Sequence, residues 1–191
     1  MHRRVIFGSL CAAIAFAVSS PAFAAAPKLS HEKVLTGLEN PWDMAFLPDG
    51  TMFFTEKCKG LSVRLPSGDV KPLYGMKGSE GYPSTGDDLF CEGQAGMQGV
   101  AVDPEFKDNR TIYVYSTSNN PAPGVNRVMR MKVNDDLSNV SDRTDIVDDI
   151  QYKPKATNHP FGGPGAHNGG RLRWNPGDGY LYVTTGDTHN G

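Results

Sequence analysis

The chain has 191 residues, with 19 basic and 21 acidic side chains and a formal charge of −2. This slightly acidic balance excludes a polyanion partner, because nucleic-acid binding needs clustered Lys and Arg to release counterions. With 38% hydrophobic residues, the chain can build a substantial core.

The first predicted element is a leader. His2, Arg3 and Arg4 precede an apolar run from Val5 to Val18, and Pro21, Ala22 and Ala24 then supply the small-residue pattern that a signal peptidase needs. The run falls short of the roughly 20 residues required to cross a bilayer. Residues 1–24 therefore read as a secretory signal peptide, and the mature chain, 25–191, as periplasmic or secreted with no membrane span after signal removal. Cys11 leaves with the signal, so Cys58 and Cys91 remain in an oxidising compartment and are expected to pair as a disulfide. The bridge closes a loop of about 34 residues and contributes roughly 3–4 kcal/mol by the chain-entropy argument. Two unrelated buried thiols are the alternative. Neither cysteine has a second Cys or a His at ligand spacing, so this segment carries no metal motif.

The mature chain is predicted all-β. A phrase recurs three times: "WDMAFLPDGTMFFTEK" from Trp42, "MQGVAVDPEFKDNRTIYVYSTS" from Met97 and "GRLRWNPGDGYLYVTTGD" from Gly170. Each copy reads as a short apolar strand, a proline turn, and a strand of alternating pattern rich in β-branched and aromatic residues. Pro48-Asp49-Gly50 and Pro176-Gly177-Asp178-Gly179 are turns because proline presets φ and glycine accepts positive φ. The second copy lengthens its turn with "EFKDN". After the first copy come "LSVRL" and "VKPLY", joined by Pro66-Ser67-Gly68-Asp69; after the second come "NRVMRMKV" and a strand near Thr144 to Ile150. Four antiparallel strands per unit, with turn prolines at 48, 104 and 176, fit β-propeller blades carrying insertions.

In a propeller, the link from the outer strand of one blade to the inner strand of the next crosses one face of the disc near its axis. Here those links are long, from Gly75 to Gly96 and from Gln151 to Gly169, and their glycine and proline content argues against secondary structure. Long loops on a rigid scaffold are where sites gather. Gln94 and His167 end the two links at matching places, each just before an inner strand, and this match motivates a site. From composition alone, a histidine in "GAHNGG" is more often a solvated or turn-stabilising residue than a catalytic one. His159 reads as an ordinary residue before proline, and His189 and Asn190 fall at the chain end.

"PWDMAFLPDGTMFFTEK", "GQAGMQGVAVDPEF", "HNGGRL" and "GYLYVTTGD" together resemble the soluble pyrroloquinoline quinone (PQQ)-dependent sugar dehydrogenases of the glucose/sorbosone or aldose sugar dehydrogenase type, from about Lys33 to Gly191. The resemblance implies a six-bladed propeller, of which about two and a half to three blades are present, and a natural protein that continues past Gly191. It implies oxidation of an aldose at C1 to a lactone, with hydride passing to PQQ and with calcium as a second cofactor. By position it makes His167 the general base, Asp187 of "TTGD" the holder of its imidazole, and Gln94 of "GQAG" a contact to sugar hydroxyls. A free imidazole titrates near about 6.5, which suits a base at neutral pH. The basic residues that grip the quinone and the calcium ligands are expected in later blades. The electron acceptor, whether dye, quinone or cytochrome, is left open.

Ala166 stands where some members carry a polar or acidic residue before the histidine, which leaves the sugar preference open. Arg171 is charged and close to the site in sequence, but strand alternation places it equally well against a neighbouring blade. Two other readings compete. A propeller lactonase would hold divalent cations on groups such as Glu92 or Asp87, and a non-enzymatic propeller would use the same loops to bind a partner. Three blades cannot close a ring, so the segment by itself is expected to be poorly soluble or inactive.

Overall fold

In a computed structural model the described residues are 26–154 and 163–187. The signal segment, Cys11, His159, His189 and Asn190 lie outside them. The chain divides into two units, 1–34 and 35–191. The described part of the first, 26–34, is irregular and exposed.

The second unit is built from strands laid down in sequence order. β1 (Pro41–Phe46), β2 (Met52–Glu56), β3 (Gly60–Arg64) and β4 (Val70–Met76) pair antiparallel, each with the next. A second antiparallel sheet follows, made of β6 (Met97–Val102), β7 (Thr111–Ser118), β8 (Val125–Val133) and β9 (Val140–Ile150). β10 (Arg171–Asn175) and β11 (Tyr180–Thr184) then pair as the opening hairpin of a third sheet. These are two full blades and the first half of another, as the recurring phrase requires. β6 lies beside both β1 and β10, so the first strand of each unit is its inner strand.

Three details differ from the sequence reading. The first long link is not wholly irregular: β5 (Thr85–Gly86) pairs parallel with the end of β4. The "EFKDN" insertion closes into one helical turn, α1 (Phe106–Asn109), whose Phe106 is buried against Phe53 at a ring-centroid distance of 5.5 Å. The fourth strand of the second sheet begins earlier than expected, at Val140.

Strand alternation explains the core. Ile112 and Val114 on β7, with Met129, Met131 and Val133 on β8, face the first sheet and meet Phe53, Leu61, Val63 and Leu73. Tyr113 and Tyr115 point the other way, toward Leu172, Trp174, Leu181 and Val183 of the third. The second sheet is thus covered on both faces. β9, on its outer edge, alternates between exposed and half-buried positions and pairs with β8 through several register shifts, which blunts an otherwise open edge.

Cys58 and Cys91 form a disulfide with a Cα separation of 5.2 Å. It ties the turn between β2 and β3 to the first long link, three residues before Gln94. No helix among the described residues is long and apolar enough to cross a membrane.

Candidate active site

The two long links converge at the entrances of β6 and β10. The Gln94 Oε1 accepts the backbone N–H of His167 at 3.0 Å, which joins the two residues that sequence position had matched. A backbone N–H can only donate, so the amide orientation is fixed: the carbonyl faces His167, and the NH2 group is the side Gln94 offers elsewhere.

His167 and Asp187 come from opposite ends of the same hairpin. His167 stands four residues before β10 and Asp187 three residues after β11, and the strand register places Arg171 opposite Thr184. The Gly170 N–H donates to the Thr184 carbonyl at 2.7 Å, so the pairing extends beyond the strands toward the site. The imidazole Nδ1 lies 2.7 Å from Asp187 Oδ1, with side chains 47% and 59% exposed respectively. The carboxylate can only accept, so Nδ1 carries the hydrogen and the basic lone pair of the neutral ring falls on Nε2. This close approach also explains the glycine of "TTGD": a Cβ on Gly186 would collide with the His167 carbonyl. Gly165, at φ +64° and packed against Ala95, brings the second link equally close to the first.

Gln94 and His167 line a cleft of about 390 Å³ with Asn40, Pro41, Trp42, Lys57, Gln98 and Asn168. Trp42 sits at the start of β1, and the Arg171 guanidinium stacks over its indole at 4.6 Å. Arg171 also pairs with the buried Asp43 of β1, as does Arg173 at 2.9 Å, while the Val100 N–H donates to the same carboxylate at 3.2 Å. Asp43 thereby joins the inner strands of all three sheets, and Arg171 serves a neighbouring blade. The Lys57 ammonium donates to the Gly93 carbonyl, beside Gln94.

The carboxylates considered for a metal are elsewhere. Glu92 accepts from the Tyr152 hydroxyl at 3.2 Å, Asp87 is exposed, and neither lines the cleft. Among the described residues no three of His, Cys, Asp and Glu converge on one point.

Sequence reasoning missed Trp42, Lys57 and a buried amide cluster beneath the histidine. Gln98, Thr117, Asn126 and Asn168 are each no more than 2% exposed. They are neutral and scattered along the chain, so only the alternation of β6, β7 and β8 brings them together. The one local signal is an Asn beside the histidine in a glycine run, where a short side chain that bonds to its neighbours is expected.

A multi-bladed β-propeller whose inner-strand entrances present an imidazole–carboxylate pair beside an aromatic face is the class of protein that fold and site define. Residues 38–191 match the Glucose / Sorbosone dehydrogenase family, and the chain belongs to it. The chain is 29% identical to the aldose sugar dehydrogenase YliI of Escherichia coli, over 99% of this chain and 45% of that protein. It superposes on a Thermus thermophilus protein described as a putative oxidoreductase (glucose dehydrogenase) with a TM-score of 0.64 and 30% identity, over 83% of this chain and 41% of that one. The PQQ-bound aldose sugar dehydrogenase of Streptomyces coelicolor has the same fold, with a TM-score of 0.61 and 24% identity over 83% of this chain and 41% of that one. The chain spans less than half the length of these proteins.

Proposed function

We propose that the protein is a PQQ-dependent sugar dehydrogenase that oxidises an aldose at C1 to the lactone, with His167 as general base. The observation that carries this reading is the 2.7 Å contact of Asp187 with the Nδ1 of His167, whose side chain lines the cleft. The basic Nε2 accepts the proton of the C1 hydroxyl as C1 loses its hydride and the C1–O bond becomes the lactone carbonyl. Asp187 then faces an imidazolium and stabilises it. Gln94, anchored by its carbonyl, presents N–H donors that suit a sugar oxygen.

Bound PQQ supplies the two-electron oxidant that takes the hydride. The cleft suits one edge of such a flat polycarboxylate, since Trp42 offers an aromatic face and Lys57 an ammonium. Lys57 and Trp42 are the residues of this segment that would hold it. The family resemblance implies calcium as well, and no residue here is assigned to it.

The leader and the Cys58–Cys91 bridge support a periplasmic or secreted protein. The full-length protein reconstituted with PQQ should reduce a dye when given aldoses. H167A should lower kcat by about 10²–10⁴-fold. Dye reduction that survives this substitution, or that needs no quinone, would exclude the reading.

A further inference from the structure

We infer that the buried amide cluster of Gln98, Asn126 and Asn168, with Thr117 and Tyr115, positions the His167 imidazole. These are positioning residues, acting on the imidazole through Gln94 and the backbone on either side of it. The inference rests on His167 being the proton acceptor.

His167 has a φ of +52°, in the left-handed region. A residue with a side chain occupies that region only where its surroundings over-determine it. Here the determinants lie on both sides of the residue. Before it, its own N–H is held by the Gln94 side chain. Gln94 is held in turn, because its backbone carbonyl accepts the Gln98 Nε2 at 3.2 Å. After it, the Asn168 carbonyl accepts the buried Tyr115 hydroxyl at 2.9 Å. Burial raises the pKa of that phenol, so it stays a donor.

The Asn168 side chain turns inward, away from the imidazole beside it, and forms a reciprocal pair with Asn126. Each Nδ2 donates to the other's Oδ1, at 2.8 and 2.9 Å. The second hydrogen of Asn168 Nδ2 goes to Gln98 Oε1 at 2.6 Å, and that of Asn126 to the Gln151 carbonyl at 2.9 Å. Thr117 donates to Asn126 Oδ1 at 2.8 Å and accepts the Gly96 N–H at 3.2 Å.

This accounting leaves no alternative orientation for the two asparagines. Turning either amide over would set donor against donor and acceptor against acceptor in a site closed to water, where each mismatch is costly. The cluster grips residue 168 on one side of the histidine and residues 94 and 96 on the other. An apolar plug of equal volume would fill the space, but it would not dictate the backbone angle between those grips. Fixing that angle fixes where the ring meets Asp187 and the cleft.

The test uses the full-length, quinone-loaded protein. N126A and N168A should each lower kcat by about tenfold to a hundredfold, the scale of a small misplacement of a catalytic group, while KM for the sugar moves by less than about threefold. The double variant should lose little more than either single, because the pair acts as one unit. In nitrogen-labelled protein, the NMR signal of the His167 Nδ1 proton held by Asp187 should shift or broaden in both variants. V63A, a core truncation in the first sheet, supplies the reference for plain destabilisation. If the amide variants lower Tm as V63A does but keep kcat and the His167 signal, the inference is overturned. Should N168A fail to fold, Y115F removes a single hydroxyl and is held to the same criteria. An active H167A would defeat the base reading alone, because the NMR measurement reports ring placement without turnover.

Discussion

Two polar clusters tie the long links to the second sheet, and their chemistry is opposite. Beneath the histidine lie neutral amides and a hydroxyl, all buried. One residue further along the same strands the chemistry becomes ionic. Ser118 donates to Asp88 at 2.6 Å, the Arg143 guanidinium grips both Asp88 oxygens at 2.6 and 2.7 Å, and Arg127 pairs with Asp145. Thr117 and Asn126 are register partners on β7 and β8, so their neighbours Ser118 and Arg127 project from the opposite face. The side chains of Arg143 and Asp88 remain 22% and 24% exposed.

The contrast separates two tasks. Directional hydrogen bonds between uncharged groups hold a geometry that neither pH nor salt disturbs. Ion pairs at a partly exposed rim give attraction that depends on both. The imidazole is mounted on the first kind.

The largest effect expected from this comparison is that of N126A on stability. It strips partners from Thr117, Asn168 and Gln151 at once and should cost about 3 kcal/mol in urea unfolding, equally at pH 7 and pH 4. A loss that varies with pH over that range would break the comparison.

The effect of D88N should be smaller and pH-dependent. Burial alone would raise the Asp88 pKa, but Arg143 and the Ser118 hydroxyl outweigh it and hold the carboxyl down at about 2. Its unfolded value is about 3.9, so the stabilisation is complete above about pH 5 and lost as pH falls through about 2. D88N should therefore cost on the order of 2 kcal/mol at pH 7 and almost nothing at pH 2. The measurement is the difference from wild type in parallel unfolding curves. The smallest effect is that of salt. In 1 M NaCl the D88N penalty should shrink by several tenths of a kcal/mol, through screening of the exposed rim, and the N126A penalty should not change.

How much of this was legible in the sequence follows from distance along the chain. The strand pairs were legible because turn prolines and alternation act over a few residues. Gln94 and His167 were legible as a pair because both stand at link ends before inner strands, and Asp187 through its family phrase. The amide cluster left no such trace: Asn168 lies 42 residues from Asn126 and 70 from Gln98. Nor did Asp43 stand out, since a carboxylate inside an apolar strand declares its purpose only when Arg171 and Arg173 are seen to meet it. The helical turn of α1 was hidden by its brevity.

The hairpin of β10 and β11 has a practical consequence. His167 and Asp187 sit at its open end, and their spacing is set by the ladder from Arg171–Thr184 to Asn175–Tyr180. The turn at Pro176–Gly179 is at the closed end, at the far side of that ladder, exposed and folded by its own Asn175 and Asp178 contacts. Inserted residues, a fluorophore or a surface tether at Gly177 would lengthen the hairpin tip and leave the distance between imidazole and carboxylate as it is.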